Sequence, residues 1–425
     1  MDNKKIRTDL VLATGTQVFV KLVGYIVITI LVRYLSKDEM GVFLFAASLA
    51  TFFALFTSMG TAQYLIREVS EKPQQALKSF SRVFSLRLIL QVIFFFILNG
   101  FVYLTKPDIL ETVILTSIYV FLEDLYFTVS LFFLGLRQVI YRTITHISAK
   151  ILLLGLILLV TRFKVSLNLI LVCFILANLF LIIFSLLVVW FKDGRFYLYW
   201  NRTVFIRILR ISFPFFIITF LSSVQLNIDT LMLGYMRSYS TVATYTTGAK
   251  LFEVSQFVIR PIPMVFFPIS AGLIVHQNWN QAKNLFQKLL LVTGVFGIIV
   301  TILVLITADL AVSIIFGDAY FETTQIVRVL FLSVPFLFMG VICLFYSNAL
   351  HIESKAMWVL VVGVLCNITL NFIGIYYIGI VGAAWSTVIS QTIITIALII
   401  LNFRYLLAGK QQAALEAQPL LLIDE

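Results

Sequence analysis

A lysine stands where hydrocarbon is expected. Lys21 lies deep in an apolar stretch that begins at Leu10, and Thr14, Gln17 and Tyr25 flank it at three- and four-residue intervals. On a helix that spacing puts all four polar groups on one face. Eleven residues of helix place the ammonium about 16 Å from the start of the stretch, too deep to snorkel easily. It either pairs with a carboxylate that fixes helix packing, or faces an aqueous cavity and attracts an anion. Two carboxylates, Glu123 and Asp124, sit midway along a later apolar stretch. Adjacent helical residues point about 100° apart, so the two meet different partners. One is expected to pair with Lys21; the other is a candidate for binding a proton or a sodium ion. Ser222, Gln225 and Asp229 form a second polar stripe, and Lys250, Glu253, Gln256 and Arg260 a third. Lys250 and Glu253 are three apart and neutralise each other on a helix, while Arg260 lies nearer a membrane surface. The candidate substrate-binding residues are therefore Lys21, Gln17, Tyr25, Gln225, Lys250 and Arg260. The candidate ion-coupling residues are Glu123, Asp124 and Asp229.

What is missing narrows the chemistry. There is no P-loop, HExxH or CxxC pattern, and His146, His276 and His351 lie in or beside loops. No metal site, cofactor or energy-transducing nucleotide site is encoded, so work has to come from a proton or sodium gradient or from the substrate itself. Cys173, Cys343 and Cys366 all fall within apolar stretches and read as packing residues. The formal net charge of +11 contains no block of five or six like charges, which argues against nucleic acid.

The elements that position these groups follow from composition. Of 425 residues, 61% are hydrophobic and 12% charged, against roughly 25% charged in soluble domains. A chain this apolar cannot build a polar surface. Apolar runs of about 20 residues recur, the length that spans hydrocarbon as a helix. Twelve spans are predicted: 10–33, 41–66, 83–104, 110–135, 147–161 and 167–190, then 211–235, 241–270, 287–308, 326–350, 356–377 and 380–403. The first is too long and lacks the cleavage site of a signal peptide. The eighth is too long for one straight crossing and contains Pro261, Pro263 and Pro268, so it is expected to bend. The organisation is an N-terminal six-helix bundle (1–190), an amphipathic linker (191–210), a C-terminal six-helix bundle (211–403) and a tail (404–425).

Basic residues orient the spans. With the N-terminus inside, 21 of the 31 Lys and Arg residues fall on inner segments, seven on outer ones and three within spans. That bias puts both termini and the 191–210 linker in the cytoplasm, the linker against the anionic membrane surface. The outer loops are all short, the longest running from about 309 to 325. The halves show a faint duplication: Thr14, Gln17 and Lys21 match the spacing of Ser222, Gln225 and Asp229, and FLFAASL (43–49) is similar to YTTGAKL (245–251). Six spans per half make such repeats parallel.

Several segments carry a resemblance to a known family. RYLSKDEMGVF (33–43), SMGTAQYLIREVS (58–70) and FLGLRQ (133–138) resemble stretches of oligosaccharide flippases of the polysaccharide-transport type. ISFPFF and IDTLMLGYM (within 211–236), ATYTTGAKL (243–251) and, most specifically, NITLNFIGIYYIGIVGAAWSTVISQ (367–391) do the same in the second half. Tyr376 and Tyr377 stand where the family often has Ile-Pro. The family belongs to the multidrug/oligosaccharidyl-lipid/polysaccharide exporter superfamily and is similar in fold to the multidrug and toxin extruders. The resemblance implies an all-α integral membrane protein of two six-helix bundles, with a cavity lined by the first, second, seventh and eighth spans. It implies alternating access in a prokaryotic cytoplasmic membrane and a polyprenyl-pyrophosphate-linked oligosaccharide as substrate. Membrane lipid surrounds such a protein, and a polysaccharide polymerase and chain-length regulator are the implied partners.

Two other readings compete. A cation- or proton-coupled multidrug exporter shares the fold but should offer its cations acidic and aromatic groups, whereas Lys21 and Arg260 favour an anion. A membrane-embedded glycan polymerase needs a sizeable outer loop, and none is long enough, so no enzyme is expected.

Overall fold

A computed structural model describes residues 3–259 and 261–421, and every element among them is helical. Ten helices are long and apolar enough to cross a membrane, and two pairs bent by 43° bring the number to twelve if each pair is one span. The first bent pair is the proline-rich stretch, Tyr239–Pro263 followed by Val265–Val275, as expected. The second was not foreseen. It breaks between Phe331 and Val334, where Pro335 occupies the first turn of the new helix and cannot donate to the helix before it.

Contacts divide the chain into two compact units, after Leu231. Unit 1 contains α1 (Asn3–Tyr34), α2 (Lys37–Ser58), α3 (Thr61–Glu71), α4 (Ala76–Thr105), α5 (Leu110–Gly135), α6 (Val139–Val160), α7 (Leu167–Asp193) and most of α8 (Arg202–Met236). Unit 2 contains α9 (Tyr239–Ile259), α10 (Pro261–Val275), α11 (Trp279–Phe316), α12 (Thr323–Phe331), α13 (Val334–Ala349), α14 (Glu353–Ile378) and α15 (Ile380–Leu421). Large apolar side chains face outward along whole helices; Ile306 of α11 is 75% exposed and Leu303 and Leu310 are comparable. In water such a face would be a gross liability; in a bilayer it is the lipid-facing surface.

The motifs behind the family resemblance prove to be backbone devices. In SKDE, Ser36 and Glu39 form a capping box: the Ser36 hydroxyl accepts from the Glu39 amide and the Ser36 amide donates to the Glu39 carboxylate at 3.0 Å. That satisfies two donors at the start of α2. In SMGTA, Met59 (φ 41°) and Gly60 (φ 68°) turn left-handed and separate α2 from α3. Gly60 also approaches α8 so closely that an added Cβ would lie 2.4 Å from the Phe216 amide nitrogen and 2.5 Å from the Ser212 carbonyl oxygen. Phe52 and Phe56 of α2 extend that seam, both within 5.7 Å of Phe220 centroid to centroid. These contacts explain why the first part of α8 belongs to unit 1, although the sequence reading begins a second bundle at 211.

The middle of the linker is extended chain. Residues 194–201 run without helical structure, and the Tyr197 and Tyr199 amides donate to Ser81 (3.3 Å) and Ser85 (2.8 Å) of α4. Two residues of extended chain advance about 6.8 Å and four of helix about 6.0 Å, so the repeats nearly match.

In unit 2, the Asn-rich motif joins α14 to α15. Asn371 donates to Asn367, which donates to Ser390, both at 3.0 Å. The two backbones nearly touch at Gly374 and Gly382, where no side chain fits.

Candidate functional site

Two sequence-predicted spans start too late, and the difference matters. The helix around 83–104 begins at Ala76 and the one around 147–161 at Val139. Arg87 and Lys150, two of the 21 basic residues that the sequence assigns to inner segments, therefore each lie eleven residues into a helix, about 16 Å along it. They supply the partners for the two central carboxylates.

Asp124 pairs with Arg87, not Lys21. Arg87 is wholly buried; its Nη2 donates to Asp124 Oδ1 at 2.6 Å and its Nη1 to Thr128 Oγ1 at 2.7 Å. The second carboxylate oxygen accepts from Thr57 of α2 at 2.8 Å and from Gln91 at 3.1 Å. Three side chains from α2 and α4 thus converge on one carboxylate of α5. A buried ion pair is tolerable only with such supporting bonds. An ion seeking Asp124 would have to displace a guanidinium.

Glu123 points elsewhere, as adjacent helical residues must. Its Oε1 accepts from Lys150 Nζ of α6 at 2.9 Å, and its side chain is 44% exposed. Lys21 and His146 also stand near enough to act on it. Helices α1 and α6 are adjacent and parallel. Thr16 and Thr143 share a hydrogen bond of 2.7 Å near one end, and the Tyr34 hydroxyl donates to the Phe163 carbonyl at 2.5 Å near the other. Lys21 is five residues past Thr16 and Lys150 seven past Thr143, so the two lysines differ in depth by only about 3 Å. The result is a polar cluster in an apolar span: Lys21, Lys150 and Glu123, with His146 beside them. Gln17, one turn before Lys21, is exposed on the same helix, and Tyr25 is half-buried.

Among the other expected residues, Asp229 is buried and Gln225 half-buried in α8. Lys250 donates to Glu253 at 2.9 and 3.2 Å, the local neutralisation their spacing implied. Arg260 lies outside the described residues. None of the described His, Cys, Asp and Glu side chains gather as a metal site.

The arrangement is that of a membrane-embedded transporter: ten to twelve apolar helices with a charged cluster among them. The sequence pattern of the polysaccharide biosynthesis protein family matches residues 7–274, and the chain belongs to that family. A Salmonella typhimurium protein bearing the provisional name of O-antigen transporter is 26% identical over 163 residues, 38% of this chain and 37% of its own length. The Staphylococcus aureus capsular polysaccharide biosynthesis protein CapF is 22% identical over 88% of this chain and 94% of its own. Among solved structures, an inward-facing multidrug resistance transporter of the MATE family superposes with a TM-score of 0.67 at 16% identity, covering 92% of this chain and 96% of that one. The lipid II flippase MurJ in an inward closed conformation gives 0.64 at 15% identity, covering 98% and 93%. The fold is theirs.

Proposed function

We propose that this protein is a flippase that moves a polyprenyl-pyrophosphate-linked oligosaccharide across a prokaryotic cytoplasmic membrane, for surface polysaccharide biosynthesis. The observation that carries the reading is the net-positive cluster of Lys21, Lys150 and Glu123 within membrane-spanning helices. A pyrophosphate leaving water must exchange hydration for protein donors, since an unpaired anion in hydrocarbon is prohibitively costly. A cation exporter needs the opposite sign. Family membership and the names of the two relatives support a glycan-bearing substrate.

Transport proceeds by alternating access, with both termini cytoplasmic as the basic-residue bias indicates. Gln17, Tyr25 and Gln225 offer the polar contacts that accompany Lys21, and Arg260 a bidentate one. Lys250 is held by Glu253 and contributes less. For a driving ion, Glu123 and Asp229 are the carboxylates to consider, while Asp124 serves to hold α2, α4 and α5 together. A polymerase and a chain-length regulator act on the product outside.

Replacement of Lys21 tests this in cells. Lys21→Ala and Lys21→Glu should abolish appearance of the glycan at the surface while protein remains in the membrane, and Lys21→Arg should keep part of the export. Normal export by Lys21→Glu would sink the anion-binding role.

A further inference from the structure

We infer that Glu123 is a releasable counter-ion, and that Lys150 is the second cation that receives the substrate's diphosphate when Glu123 lets it go. The inference rests on the flippase reading above and deepens it.

The two central ion pairs are built differently. Asp124 is held through both oxygens by Arg87, Thr57 and Gln91, with Arg87 fully buried. Glu123 is held through Oε1 alone, by Lys150, with nearly half of its side chain exposed. The first pair is a fastening. The second is easier to open, because a single hydrogen bond holds the carboxylate.

Charge arithmetic gives the opening a purpose. A diphosphate diester carries about two negative charges at neutral pH. With Glu123 ionised, the group of Lys21, Lys150 and Glu123 carries one net positive charge; with Glu123 protonated, it carries two. Lys150 cannot serve Glu123 and a phosphate oxygen at full strength together. Ionised Glu123 and bound diphosphate therefore compete for the same ammonium, and a proton on Glu123 and the anion at Lys150 favour each other. Loss of that proton restores the Lys150–Glu123 bond and weakens the hold on the anion.

The neighbours of Glu123 suit this exchange. From α6 come Lys150 and His146, whose Nε2 is buried without a hydrogen-bond partner. From α1 comes Lys21, and on α5 itself Tyr119 and Tyr126 lie one turn to either side. Helices α2 and α4 give Thr57 and Arg87 to Asp124, and α7 meets α5 with Phe174 against Tyr119.

Farnesyl diphosphate, a short prenyl diphosphate, is the probe. Its binding to the purified full-length protein in detergent is measured by calorimetry from pH 5.5 to 8, with the probe's own titration common to all variants. Glu123→Gln should bind about tenfold more tightly than wild type at pH 8, the size of one charge-assisted hydrogen bond. The advantage should narrow as pH falls toward 5.5, because the bound anion and a proton on wild-type Glu123 favour each other. Lys150→Met should bind about tenfold more weakly than Glu123→Gln at every pH, and Lys150→Arg should retain the wild-type profile. Glu123→Gln is isosteric and decides the matter even if Lys150→Met fails to fold. A Glu123→Gln profile that follows wild type throughout overturns the inference, as does unaltered binding by folded Lys150→Met. If those results come with binding that still requires Lys21, the flippase reading survives. If wild type does not bind the probe, or binds it without Lys21, both fail.

Discussion

Arg87→Ala should be among the most damaging single substitutions in unit 1. It leaves the Asp124 carboxylate, only 15% exposed, with two neutral donors in place of a guanidinium. Breaking a buried pair by removing one partner costs about 3–5 kcal/mol. Because Thr57 and Gln91 remain, the lower part of that range applies, about 3 kcal/mol. For a unit of this size, 1 kcal/mol corresponds to roughly 2–4 °C, so the apparent melting temperature should fall by about 6–12 °C. The assay is thermal unfolding of purified protein in detergent at one fixed scan rate, since membrane proteins unfold irreversibly and the midpoint depends on the rate. Removing both charges, in Arg87→Met with Asp124→Leu, should recover most of the loss, because the desolvation penalty disappears with the pair. The same double variant should still transport, which separates a fastening from an ion-coupling site. A midpoint for Arg87→Ala within 2 °C of wild type would refute the reasoning. So would a double variant no more stable than the single one.

Gly60→Ala should cost about 2 kcal/mol or more, since it combines a left-handed φ with a Cβ pressed into the α8 backbone. Gly100→Ala, where a Cβ meets nothing within 4 Å, is the control and should melt no lower than wild type. Reporter fusions should place 67–75, 137–138 and 194–201 in the cytoplasm and 105–108 and 317–322 outside; an external 194–201 would overturn the orientation. In the export assay, Lys21→Arg should fall between wild type and Lys21→Ala, and equal loss in both would argue for shape over charge.

Much of this architecture is legible from apolar run lengths alone, because hydrocarbon thickness constrains them so tightly. The bend near Pro261 and Pro263 was also visible, since proline removes a donor wherever it stands. The break at Leu332 and Ser333 was not, because no residue in the break itself forbids helix and the proline lies beyond it. The partners of the central carboxylates were missed for one reason: Arg87 and Lys150 lie close to the ends of their apolar runs and read as loop charges. At the start of α4, Ser79, Ser81 and Ser85 are buried, and Ser81 and Ser85 accept from the linker backbone. A signal was present in the four-residue spacings Arg87/Gln91 and Asp124/Thr128, which put matching donors and acceptors on single helical faces. Lys21 lies near enough to Glu123 to act on it electrostatically, while the hydrogen bond to Glu123 comes from Lys150. That Lys150 is the residue bonded to Glu123 depends on how α5 and α6 pack, which no local pattern encodes.

The central claim is that a diphosphate-linked glycan crosses the membrane through this protein because a cation at position 21 receives it. Purified protein reconstituted into liposomes, with a fluorescent undecaprenyl-diphosphate oligosaccharide in both leaflets, allows outer-leaflet probe to be quenched and translocation followed as further loss of signal. Wild-type protein should drive that loss well above protein-free vesicles, Lys21→Glu should reduce it to the background, and cationic dyes should be moved poorly by both. Translocation by Lys21→Glu at the wild-type rate, or efficient dye movement that ignores Lys21, would contradict the account.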